Sequence, residues 1–159
     1  IHEVRTFFDG PIALAGTLTK GEDILAAEIL GADFAYIGTR FIPAKESRAQ
    51  EEYKQAIADA TIEDIIYTDA FSGINANYLL PSIVRAGLDP EKLKSKEKID
   101  LSELSNSKAK AWKDIWGAGQ GVGPIDKTNQ TVEEIVAELE FSYKAAKQKI
   151  INKHMAFKK

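Results

Sequence analysis

Two glycine–threonine pairs, Gly16-Thr17 and Gly38-Thr39, carry the clearest chemical signal in this 159-residue chain. Each follows a short apolar run, residues 12–15 and 34–37. A glycine turn lets backbone N–H groups come close to an anion, because no side chain stands in the way. If the two runs are parallel neighbours, both turns leave the sheet at the same edge and their amides converge on one point. That arrangement suits a phosphate group. Other chemistries find less support. The chain has no cysteine, so disulfides, thiolate nucleophiles and Cys-ligated metals are excluded. His2 and His154 stand near the ends, and both read as solvated. Asp69, Asn75 and Asn77 surround Phe71-Ser72-Gly73 without a metal-ligand spacing.

The elements that must position these turns can be read along the chain. Residues 12–15 and 34–37 are too apolar for half-exposed strands and read as strands buried on both faces. Between them, Thr19 and Glu22 have capping-box spacing, and residues 22–30 form a helix with Ile24, Ala27, Leu25 and Ile29 as its apolar ridges. Gly31 is its left-handed stop. The whole is a right-handed βαβ crossover. A charged helix follows over 51–60, with Tyr53, Ala56, Ile57 and Ala60 inward. Residues 65–68 read as a short strand, and 78–86 as a helix with Pro81 in its first turn and Gly87 as its stop. Residues 92–110 are rich in Lys, Ser and Glu and read as solvated surface. A last helix starts near Thr131, capped by Glu134, with Val132, Ile135, Val136, Leu139, Tyr143, Ala146 and Ile150 marking the buried face. The tail, 153–159, frays.

Composition narrows the class. Hydrophobic residues make up 44% and charged residues 28%, as in an ordinary soluble domain. A net charge of −3 gives no general attraction to nucleic acid or to an anionic membrane, so a phosphate must be held by local donors. No apolar run reaches the roughly 20 residues of a spanning helix. The expected location is cytoplasmic. Two strands cannot bury both of their faces alone. The expectation is therefore the C-terminal portion of a (β/α)8 TIM barrel with a helical C-terminal extension, in which loops after the last two strands commonly hold a phosphate.

Specific segments resemble the nitronate monooxygenase (2-nitropropane dioxygenase) family. They are Gly16 and the helix after it, Leu30-Gly31-Ala32-Asp33, Tyr36-Ile37-Gly38-Thr39-Arg40-Phe41, Glu46 and Ala49 before Tyr53-Lys54-Gln55-Ala56, Tyr67-Thr68 with Phe71-Ser72-Gly73, and Trp116-Gly117-Ala118-Gly119-Gln120-Gly121-Val122-Gly123. The resemblance covers the C-terminal half of a family member. It implies a (β/α)8 barrel with non-covalent FMN, a small-molecule substrate, and oxidation of alkyl nitronates by dioxygen to a carbonyl compound and nitrite. It places the flavin phosphate on Gly16 and Thr17 from one turn and Ile37, Gly38 and Thr39 from the other. Where the family has Gly-Gly in the first turn, this chain has Gly16-Thr17; the Thr17 Cβ limits φ, and its hydroxyl offers an extra bond. The family's catalytic histidine belongs to the preceding half of the barrel, so no catalytic residue is expected in this chain.

Gln120 reads as a cofactor-site residue at the barrel mouth, or as part of a loop pinned there for packing. Arg40 reads as a structural ion-pair partner or a phosphate partner; Trp112 and Trp116, at i and i+4, read as packing. Residues 1–60 are expected to hold the last βα units with the phosphate turns, and 61–159 a mostly helical region closing the active site. The expected partner is the missing N-terminal half of the barrel or a second copy of the chain. Two rivals stand beside this reading: a flavin-dependent enoyl-acyl-carrier-protein reductase, and a non-catalytic barrel fragment that binds a phosphorylated ligand or a partner chain.

Overall fold

The computed structural model describes residues 1–95 and 114–156. Trp112 and most of the Lys- and Ser-rich stretch lie outside them. Strands β1 (Ala13–Ala15) and β2 (Phe34–Tyr36) pair in parallel, with Ala13 opposite Phe34 and Ala15 opposite Tyr36. Helix α2 (Gly21–Ile29) connects them, after the short α1 (His2–Arg5). The helix starts one residue before the expected Glu22, because Asp23 supplies the cap. Its carboxylate accepts the backbone N–H groups of Thr19 and Lys20, each at 2.8 Å. Gly31 ends the helix at φ +96°, in the left-handed region.

Asp33 explains why an acid follows that glycine. Its carboxylate accepts the N–H of Ile12 at 2.8 Å and the Arg5 guanidinium at 2.6 Å, so it clamps the start of β1 beside β2. The Ile12 amide and then Arg5 hold its pKa below the ordinary 3.8.

The sheet departs from the expected burial on both faces. Ile37, just beyond β2, packs with Ile24 and Phe41 around Ala44, Ile135 and Leu139. Leu14 and Ala35 are half-buried, but Ala13, Ala15, Phe34 and Tyr36 are exposed. A two-stranded sheet has two faces and only one helical layer to cover them.

Helix α3 (Glu51–Asp59) turns Ile57 fully inward, with Ala60 just past its end. Beside it, β3 (Ile65–Thr68) and β4 (Ala76–Leu79) form an antiparallel hairpin. Residues 78 and 79 were expected in a helix; they are strand, and α4 (Leu80–Arg85) begins after them. Tyr78 packs edge-on against Phe71 and Leu79 is wholly buried, so both serve the core better from a strand. Gly87, at φ +78°, follows the helix as expected.

Helix α5 (Val132–Ala156) carries the expected capping box: Thr131 N–H donates to Glu134 at 2.7 Å, and Glu134 N–H to the Thr131 hydroxyl at 3.1 Å. Ile135 and Leu139 are its buried ridge, whereas Val132, Val136 and Ile150 are exposed, as is Ile29 on α2. The burial follows where α2 crosses α5. At the crossing a Cβ on Gly21 would run into the Tyr143 amide, the Leu139 carbonyl and the Ser142 hydroxyl. The Gly21 N–H donates to that hydroxyl at 2.9 Å. No helix among the described residues is long and apolar enough to cross a membrane.

Candidate functional site

Gly16, Thr17, Gly38 and Thr39 line one cavity of about 200 Å3, together with Tyr36, Gly119 and Gly121. Parallel pairing produces this: β1 and β2 run side by side, so their exit turns emerge together. Gly16 takes φ +100° and Thr17 φ +55°. Two successive left-handed residues turn their amides to one side, and a β-branched residue there is strained. The strain is what the Gly-to-Thr departure implied.

The site is made of backbone. Positions where a Cβ would stand on Gly16 and Gly38 have nothing within 4 Å, so the space beside each turn is open. Among the described residues, no acceptor takes the N–H groups of Thr17, Gly38 or Thr39. Among the described residues, the lining holds no lysine, arginine, histidine or carboxylate. Free amides with space in front of them fit a phosphate, and they do not depend on a titrating side chain.

The two threonine hydroxyls behave differently. That of Thr17 donates to the Gly16 carbonyl at 2.8 Å, so its proton is committed inside the turn. That of Thr39 accepts the N–H of Gly119 at 2.9 Å. Gly119 belongs to a strap, residues 116–121, that lies over both turns. Gly121 is close enough to the first turn that a Cβ would stand 2.9 Å from the Thr17 Cα and carbonyl oxygen.

Tertiary contacts that the sequence did not disclose fix the strap's near end. Trp116 stacks on Tyr53 with ring centroids 4.9 Å apart, and the Arg85 guanidinium sits 3.8 Å over its ring. The Tyr53 hydroxyl donates to the Gly117 carbonyl, and burial pushes its pKa up to about 12. Leu79 N–H donates to the Trp116 carbonyl at 2.8 Å and Ala118 N–H to the Asn77 carbonyl at 3.2 Å, so the strap adds to the edge of the hairpin.

Of the remaining candidates, Ile37 does not line the cavity; it supports the second turn from within the apolar cluster beneath it. Gln120 is exposed, in the bend between the two pinned glycines, and does not line the cavity either. Arg40 is a structural cation, 7% exposed. Its Nη2 donates to Glu138 at 2.9 Å and to Gln130 at 2.8 Å, tying the second turn to α5. His2 and His154 are both exposed. No group of acids and histidines among the described residues could hold a metal ion. A larger cavity of about 650 Å3 beside α3 is lined by Glu51, Glu52, Asp59 and Asp64, whose charges repel phosphate.

A βαβ unit whose exit turns meet at one open cavity is the C-terminal portion of a (β/α)8 TIM barrel, carried here with a helical C-terminal extension. The chain belongs to the nitronate monooxygenase family: the family model described as "Nitronate monooxygenase" matches residues 1–140. A probable nitronate monooxygenase of Staphylococcus haemolyticus is 29% identical over 136 residues, covering 81% of this chain and 37% of the relative. One from Staphylococcus aureus strain Newman is 36% identical over 63 residues, 40% of this chain and 18% of the relative. Among solved structures, FabK from Thermotoga maritima superposes with a TM-score of 0.73 at 26% identity, over 94% of this chain and 49% of that one. Nitroalkane oxidase from Streptomyces ansochromogenes gives 0.69 at 26% identity, over 93% and 43%. The chain thus spans less than half the length of each of these proteins.

Proposed function

We propose that this chain supplies the phosphate anchor of an FMN site in a flavin-dependent oxidoreductase that oxidises alkyl nitronates with dioxygen to a carbonyl compound and nitrite. The observation that carries the reading is the convergence of two glycine turns with unpaired amides on one cavity, in a chain of the nitronate monooxygenase family. The flavin, when bound, supplies the electron transfer; the residues here hold its phosphate. The backbone of Gly16, Thr17, Gly38 and Thr39 offers the donors, and Ile37 sets the second turn from below. Gln120, carried by the strap between Gly119 and Gly121, is offered to the cofactor from outside the cavity lining. Proton abstraction is left, on this reading, to residues elsewhere in the enzyme. Anchoring of this kind is uniform binding energy: it holds ground state and transition state alike and does not lower the chemical barrier.

Titration of the protein with FMN, followed by quenching of flavin fluorescence, tests the assignment against Gly38→Val. The substitution meets open space, so the fold is expected to persist. Its side chain occupies the room a phosphate needs, and the loss of charge-assisted bonds predicts an affinity about tenfold lower or more. Equal affinities for the two proteins, or no binding by the parent, would sink the reading. Dependence of turnover on a pyridine nucleotide would instead mark the enoyl-reductase alternative.

A further inference from the structure

Part of the face expected to be buried on α5 has no cover among the described residues. Ile135 and Leu139 pack inward, whereas Val132, Val136 and Ile150 are 40%, 49% and 52% exposed. Val136, Tyr143 and Ile150 follow one another at seven-residue spacing, and Val132 stands one turn before Val136. The four side chains therefore share one stripe along the helix. Beside Ile150 the stripe borders an apolar groove of about 340 Å3, formed with Ile151 and with Leu25 and Ile29 of α2.

Charge divides the same helix. Residues 141–159 hold six lysines and no acid, whereas the 140 residues before them hold 15 lysines and arginines against 24 acids. Lys149 and Lys153 are exposed, one turn apart, and neither has an ion-pair partner among the described residues. The acidic cavity of about 650 Å3 lies at the opposite end of α5. Thr128 and Asn129, just before the helix, line it together with Glu51, Glu52, Asp59 and Asp64. At 1.5 Å per residue the two lysines stand about 26–32 Å along the helix from its start, too far to reach the cavity of their own chain.

We propose that a second copy of this chain covers the stripe, with the two α5 helices antiparallel about a two-fold axis near Tyr143. Positions 136 and 150 are equidistant from 143, so Val136 of each copy enters the other's groove beside Ile150. The same rotation lays each lysine-bearing end against the start of the other α5, where the four carboxylates stand. Apolar surface then meets apolar surface at the centre of the contact, and base meets acid at both of its ends. Each contact occurs twice and the symmetry closes, so no further copy is recruited. A polyanion suits the lysines less well, because the acidic remainder of the chain repels it.

Sedimentation equilibrium at low salt tests this with the parent and three variants. The parent is expected to form a reversible dimer. Val136→Glu places a charge in the apolar seam, at an exposed position where the fold tolerates it, and is expected to weaken the dimer about tenfold or more. Lys149→Glu combined with Lys153→Glu sets acid against acid and is expected to weaken it by a similar factor. Adding Glu52→Lys and Asp59→Lys to that pair is expected to restore the dimer, which damage to folding could not do. A parent that stays monomeric overturns the proposal. So does a dimer indifferent to Val136→Glu or to the lysine reversal, or one that the added lysines fail to rescue.

Discussion

The parallel pair β1–β2 and the hairpin β3–β4 are both two strands wide, yet they use their backbones in opposite ways. The hairpin gives its free edge to the strap, through Leu79 to Trp116 and Asn77 to Ala118, and buries Tyr78 and Leu79 to 4% and 0% exposure. The parallel pair leaves Phe34 and Tyr36 63% and 69% exposed and ends in turns where, among the described residues, the amides of Thr17, Gly38 and Thr39 have no partner. On the proposed reading, one sheet is a support and the other a receptor. Unpaired backbone groups are costly where they are buried, so a fold keeps them where something else is meant to satisfy them.

Glycines mark the same division, and substituting one that serves packing gives the largest expected effect. Gly21 lies where α2 crosses α5, and the atoms a Cβ would strike there include two backbone groups. Backbone cannot move aside as a flexible side-chain tip can. Gly21→Ala is expected to cost about 3 kcal/mol or more, lowering the melting temperature by about 6–12 °C. Thermal unfolding measured beside Gly38→Val, which meets open space, would sharpen the comparison. Equal melting temperatures for the two variants would break it.

What the sequence showed of this division, and what it hid, has a physical explanation. Local signals were readable: the Thr131–Glu134 cap, the left-handed Gly31 and Gly87, and the two glycine exits of a βαβ unit depend on neighbours a few residues away. The cap of α2 reads one acid early, since Glu22 and Asp23 are both within reach of the helix start and only the folded chain selects Asp23. Tyr78 and Leu79 read as helix because Pro81 marks a helix start without fixing how far the preceding strand runs. The strap's anchors were out of reach altogether. Thr39 and Gly119, or Tyr53 and Trp116, are joined only by tertiary folding, and nothing at either position announces the other. The glycines could be counted from the sequence, but which of them face packed atoms and which face space could not.

Thr17 tests whether the receptor turn is strained in order to bind. Its φ of +55° is unfavourable for a β-branched residue. Thr17→Gly relieves that strain while adding freedom to the unfolded chain, and the hydroxyl bond to Gly16 is lost as well. The net expectation is a gain in stability of up to about 1 kcal/mol, read from urea unfolding. A loss of similar size would mean that the Thr17 side chain supports the turn, and that the receptor region is held by side chains after all.

The smallest expected effect concerns the charges beneath the second turn. Glu138 accepts Lys127 at 2.6 Å and Gln130 at 2.9 Å on one oxygen, and Arg40 at 2.9 Å on the other. The Lys127 hydrogen bond is the largest cause that holds its pKa below the ordinary 4.5; burial opposes it, and the Gln130 hydrogen bond and the charges of Lys127 and Arg40 lower it further. A pKa lower in the folded than in the unfolded chain adds stability that is full above the unfolded value and disappears as pH falls through the folded one. Its side chain is 42% exposed, so solvent screening keeps the contribution to about 1 kcal/mol or less. Urea unfolding from pH 7 down to pH 3 should therefore show the parent losing slightly more stability than Glu138→Gln, with the difference confined to the acid side of 4.5. FMN affinity should stay level over the part of that range where the protein remains folded and the phosphate keeps its charge, because the cavity lining has no group that titrates there. Affinity that fell in step with the protonation of Glu138 would show that the second turn depends on the ion pairs under it, and the contrast between a backbone receptor and a side-chain support would have to be given up.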